Sequence, residues 1–201
     1  MFSKEHLVFP LQLSQHENPD CEESLQRLLL PAQSLKLEYN ISKPPLCSNN
    51  NGKNVYFENR DSKTGKLTGG VAKKDVNGLP VIYRFNFQKA PKSLQMFIDF
   101  HECAHHQTGD LEKKPPQQNS FEHMMKESIA DCIAAIRIKS DKINGHFLIK
   151  EVLVELNKDM KIIGFSKSTI ESRKMNIKKC FKKNISLSTY IDDILNKRNL
   201  K

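Results

Sequence analysis

Along this chain an alternation of apolar and polar positions gives way, after Phe87, to apolar residues recurring every three to four. Leu35, Leu37, Tyr39 and Ile41 alternate with Lys36, Glu38 and Asn40, the pattern of a half-buried strand. Val55 and Phe57 suggest a second strand and Val71 a third, with turn-forming stretches at Pro44 to Lys53 and Asp61 to Gly70. After an Asn77-Gly78 turn, Val81, Tyr83, Phe85 and Phe87 alternate with Ile82, Arg84 and Asn86 and predict the clearest strand. A short helix from Asp20 to Leu30 precedes them, with Asp20 as N-cap, Glu23 three residues on and Pro31 as its stop.

The helical period begins with Leu94, Phe97, Ile98 and Ala104, over Ser93 to Gln107, with Ser93 as candidate N-cap and Gly109 as stop. A polar loop containing Pro115-Pro116 follows from Leu111 to Gln118. Asn119 or Ser120 caps a helix to about Lys139. Another helix runs from Ile143 to Met160, with Phe147, Leu148, Val152 and Leu156 on one face. Ser168-x-x-Glu171 reads as a capping box for a helix to about Lys183, and a last helix spans Ser188 to Lys197. Strands first and helices after predict an α+β fold, a small N-terminal β-sheet packed on a mainly helical C-terminal part. Residues 1–75 read as an extension of a short helix and strands within the same unit, and 76–201 as the main domain.

Composition alters little. The chain has 201 residues and 38% hydrophobic content, enough for one core. No apolar run reaches the length of a transmembrane helix. Met1 to Pro10 has no long apolar stretch and does not read as a secretory signal. The expected protein is soluble, either exported with its signal removed or cytoplasmic. The net charge of +9 includes Lys178, Lys179, Lys182 and Lys183, but no nucleic-acid motif accompanies them, so the run reads as a solvated helix face. Cys21, Cys47, Cys103, Cys132 and Cys180 form no C-x-x-C pair, which argues against a cysteine metal site. Cys103 and Cys132 sit on two helices that must pack together. A Cys103–Cys132 bridge, a Cys132–Cys180 bridge and buried free thiols all remain open.

Chemistry enters with His101-Glu102-Cys103-Ala104-His105, an H-E-x-x-H placed inside the predicted helix. Positions i and i+4 share one helix face, so both imidazoles can reach one ion, while Glu102 sits about 100° around the helix, where it can face a water. A catalytic zinc site has three protein ligands. Glu127 is the candidate third, and Asp131, four residues on, can accept from the free ring N–H of a ligand histidine. His123, on the same face, is the alternative ligand. His106 points off the ligand face. Asp110 is read as surface loop rather than a carboxylate behind a ligand.

Phe97 to His106 resembles the active-site helix of the gluzincin metallopeptidases, and Lys126-Glu127-Ser128-Ile129-Ala130-Asp131 resembles their glutamate helix. The E-x-x-A-D form is most similar to the family of membrane heat-shock proteases and prenyl-protein endopeptidases. Small soluble bacterial relatives carry H-E-C-x-H-H, A-D-C and Arg-x-x-Asn-Ile-x-x-Cys, similar here to Arg173 through Cys180. The segment before Arg173, Phe165 to Ser168, departs from the His-Pro pair of those relatives. The resemblance covers about Val81 to Cys180. It implies a zincin-like catalytic domain over 76–201, Zn2+ as cofactor, and an edge strand that holds an extended peptide or protein substrate. Val81 to Phe87 is the candidate edge strand; a core strand is the other reading. The expected activity is peptide-bond hydrolysis with Glu102 as general base and Arg173 leading His146, His123 and Tyr190 as oxyanion donor. The alternative is a non-catalytic metal-binding or interaction module, for which an intact Glu102 has no purpose.

Overall fold

A computed structural model of the chain describes residues 43–61 and 68–200. The expected helix at Asp20 to Leu30 and strand at Leu35 to Ile41 lie outside these residues. Three strands form one sheet: β1 (Tyr56–Arg60), β2 (Gly69–Lys74) and β3 (Pro80–Phe85). Their order is β1-β3-β2, with β1 parallel and β2 antiparallel to β3. Strands on both sides of position 75 therefore share one sheet.

The candidate edge strand is the central one. β3 is paired along both sides, so Val81 to Phe85 has no edge to offer a peptide, and Phe87 lies in a 3-10 turn beyond it. The reason is burial: Val81, Ile82 and Arg84 are all buried, and the middle strand of a small sheet is its most covered. Arg84 turns its guanidinium into the interior, where Nε donates to Asp99 Oδ1 at 2.8 Å and Nη2 pairs with Asp99 Oδ2. It lies over the rings of Phe57 and Phe87. This buried pair ties the sheet to the first long helix.

Five α-helices follow: α1 (Lys92–Gln107), α2 (Phe121–Lys139), α3 (Gly145–Ile163), α4 (Lys167–Phe181) and α5 (Leu187–Lys197). α1 lies between layers, with β2 and β3 on one side and α2 on the other. α2 is the central helix. Its stretch Ala130 to Ile136 is wholly buried, because α1, α3, α4 and α5 all pack on it. Each large aliphatic side chain buried there contributes roughly 1.5–3 kcal/mol.

The caps differ from expectation in two places. Pro91, not Ser93, is the N-cap of α1, and Ser93 is buried as the second residue of the helix. Pro suits a boundary because it sets φ and lacks an N–H. Ser166, not Ser168, caps α4 by accepting from the Thr169 N–H at 3.2 Å. Ser120 caps α2 in the same way, and Asn119 beside it is left-handed, with φ 62°. α3 begins at Gly145 and runs on to Ile163, and α4 stops at Phe181.

Two disulfides cross-link the layers. Cys132–Cys180 joins α2 to α4, one of the readings left open above. Cys103 does not bond Cys132; it bonds Cys47, which fastens the loop before β1 to α1. Within that loop the Asn50 N–H donates to the His106 carbonyl at 3.0 Å.

Candidate metal centre

α1 presents His101 and His105 one turn apart, and α2 brings Glu127 to face both. His101 Nε2 and His105 Nε2 are 3.3 Å apart. Glu127 Oε2 lies 3.2 Å from the first and Oε1 3.5 Å from the second. The ligand atoms of the three residues all lie within 4.8 Å of one another. His123 Nε2 is 3.9 Å from Glu127 Oε1, beside the cluster and outside the triad. Both histidines are nearly buried, while the Glu127 side chain is 38% exposed, so the site opens to solvent on the α2 side.

Each histidine is oriented from behind. His101 Nδ1 lies 2.9 Å from Asp131 Oδ1, and Asp131 is held by a two-pronged contact from Arg173, Nε to Oδ2 and Nη2 to Oδ1, both 2.8 Å. His105 Nδ1 lies 2.9 Å from Asp110 Oδ2. Asp110 is thus a buried partner of a candidate ligand histidine, not surface loop as expected. It is drawn in by the turn after α1, where Gly109 is left-handed (φ 69°) and Thr108 Oγ1 donates to Asp110 Oδ2. With carboxylates on both Nδ1 atoms, the two Nε2 atoms are directed into the space faced by Glu127, where a proton or a metal ion can be held.

The electrostatics fit a cation. Burial opposes a charge on His101, yet its hydrogen bonds to Asp131 and Glu127 outweigh this and raise it to about 10. Burial also opposes charge on Glu127 and Asp131. The His101 contacts for Glu127, and the Arg173 charge for Asp131, hold both carboxyls well below the usual range. Two imidazoles with fixed Nδ1 partners and one ionised carboxylate form a donor set suited to a divalent metal.

Glu102 leaves the ligand face as the helix period requires. It lies under β2, where its Oε2 accepts the Ala72 N–H at 2.8 Å. β2 comes so close that a Cβ on Gly70 would stand 2.5 Å from Glu102 Cγ and 2.8 Å from Ile98 Cγ2. Sequence reasoning missed Gly70 and Ala72. Their only signal was a Gly-Gly pair at the end of a turn-forming stretch, next to the weak strand signal at Val71.

The remaining candidates disperse. Arg173, expected as oxyanion donor, is drawn to Asp131. His106 is buried, and burial pushes its ring down to about 4, so it is neutral and bonds the Val81 carbonyl at 3.1 Å. His146 stacks edge-on against Phe181. Tyr190 packs on Ala104, Ala130 and Ile133. On α4, Arg173, Asn176, Ile177 and Cys180 make one helical face that meets α2 through Asp131, the Ser128 carbonyl, the core and the disulfide.

Compared with protein-family models, with curated proteins and with solved structures, the chain matches none.

Proposed function

We propose that this chain is a zinc-dependent peptidase of gluzincin type. The observation that carries the reading is the convergence of His101, His105 and Glu127 from two helices, with Glu102 held beside them by Ala72. His101, His105 and Glu127 hold the metal, which when bound supplies Lewis acidity for a carbonyl and acidifies water. Glu102 moves the proton. Its Oε2 is engaged by Ala72, so Oε1 is the atom that takes the proton from water and returns it to the leaving amine. Arg173 acts through Asp131, holding His101 in its ligand tautomer.

The substrate strand is assigned to β2. The Ala72 N–H points to Glu102 and away from β3, and backbone direction alternates along a strand, so Gly70 and Lys74 turn to the same open edge. An extended peptide pairing with that edge passes over Glu102. The two disulfides favour an oxidising compartment. No described helix is long and apolar enough to cross a membrane.

The deciding experiment is metal analysis and peptide cleavage by wild type and Glu102→Gln. Both should hold about one zinc per chain, and only the wild type should cleave. Zinc in both with cleavage in neither indicates the non-catalytic module; wild type without zinc sinks the peptidase reading and leaves a metal-free interaction module.

A further inference from the structure

The two ligand histidines are backed in parallel, and the second support comes from a distant part of the chain. Behind His101 stands Asp131, and behind it Arg173. Behind His105 stands Asp110, and behind it Arg198, which follows α5. Arg198 Nη1 lies 2.7 Å from Asp110 Oδ1 and donates to the Thr108 carbonyl at 2.6 Å, across 90 residues of sequence. Resting on the metal reading above, we infer that Arg198 is a positioning residue for the metal centre: it fixes Asp110, and through Asp110 the ring of His105.

Asp110 is buried, its side chain only 4% exposed. A buried carboxylate whose neighbours are a neutral imidazole and a hydroxyl lacks counter-charge, and leaving one unpaired is strongly unfavourable. Arg198 is the cation in contact with Asp110 at Oδ1, the oxygen that does not face His105. Without it, the Asp110 carboxylate loses the contact that fixes its position beside His105, and the His105 ring loses the held acceptor that sets its plane.

The approach of Arg198 is itself built. Asn199 is left-handed (φ 56°), the Asn199 N–H donates to the Asn196 carbonyl and the Leu200 N–H to the Leu195 carbonyl, the Schellman pattern of a helix end. This turn seats Leu200 against Gly109, where a Cβ would stand 2.4 Å from Leu200 Cδ1. Backbone closure and side-chain packing therefore deliver the guanidinium to the turn that carries Asp110.

The test uses the full chain with Arg198→Met, Arg198→Lys and Asp110→Asn, and Arg60→Met as a control whose ion pair with Glu58 is exposed. Zinc affinity is measured by competition with a chromophoric chelator, and visible spectra are taken on the cobalt-loaded proteins. Arg198→Met should bind zinc on the order of tenfold more weakly, within the range for groups that orient metal ligands, and shift the cobalt bands. Arg198→Lys, whose ammonium can sit between Asp110 and the Thr108 carbonyl, should recover most of the affinity. The double variant Arg198→Met/Asp110→Asn should lose no more than Asp110→Asn alone, since the two act in series. Wild-type affinity and spectrum in Arg198→Met overturn the inference. If that variant does not fold, unchanged affinity in Asp110→Asn overturns it instead. Wild type that binds no zinc removes the metal reading and this inference with it. Wild type that binds zinc while Arg198→Met is indifferent removes the inference alone.

Discussion

Gly70 shows how a residue without a side chain can set the position of a carboxylate. Its backbone needs no left-handed conformation; what it provides is room for the Glu102 stem beneath β2. Gly70→Ala must lift the strand or displace the carboxylate, and displacement by about 1 Å can cost on the order of 100-fold in rate. On the peptidase reading proposed above, the expected outcome is a loss of kcat/KM of roughly 10- to 100-fold with zinc content unchanged. Gly69→Ala, with nothing within 4 Å of its Cβ, should stay near wild type. Equal activities for the two variants would refute this role. At this scale the sequence was most informative where helical period does the work. His101, Glu102, His105, Glu127 and Asp131 have spacings that the helix converts directly into shared or separated faces. Asp110 and Arg198 were not legible in the same way. Their partnership depends on a left-handed turn and on a helix end 90 residues away, which no local pattern encodes.

The elements were legible in kind, and they slipped where two signals competed. Around residue 166, Ser-x-Ser offers two caps, and the Glu171 three residues after Ser168 favoured the wrong one. The chain instead enters α4 at Ser166, whose hydroxyl also lies 2.9 Å from that of Ser168. Ser166→Ala should therefore destabilise the protein by about 1 kcal/mol and Ser168→Ala by a few tenths, read from the denaturant midpoint at constant slope. The reverse ranking would return the cap to Ser168. β3 slipped for a related reason. Its alternation was the clearest of all, and a strand that apolar is the one most covered by neighbours. Gly69-Gly70-Val71-Ala72 has little β-propensity and was faint in the pattern, yet it forms the strand with the open edge.

For the molecule as a whole, the α+β order was readable but its cross-links were not, because five cysteines leave the pairing open. Cys132–Cys180 closes a separation of 48 residues and clamps α4 onto α2 beside the Arg173–Asp131 pair. Loop entropy assigns such a bridge about 4 kcal/mol, and measured bridges typically give 2–4. The Cys132→Ala/Cys180→Ala variant should lose stability in that range by denaturant titration. On the metal reading proposed above, zinc affinity should fall as well, because α4 delivers Arg173 to Asp131. A double variant as stable as wild type would show that helix packing alone holds this face together.

The bridges also divide the polypeptide into two covalent rings with a plain stretch between them. One ring runs from Cys47 to Cys103 and contains the whole sheet, His101 and Glu102; the other runs from Cys132 to Cys180 and contains Arg173. His105, Asp110, Glu127 and Asp131 all lie on the single thread that joins them. A nick inside either ring leaves the fragments tethered until a reductant is added. A nick in the polar stretch between Glu112 and Ser120 has no such safeguard. It parts His105 from Glu127, so the two halves of the candidate metal centre would then be kept together by packing alone.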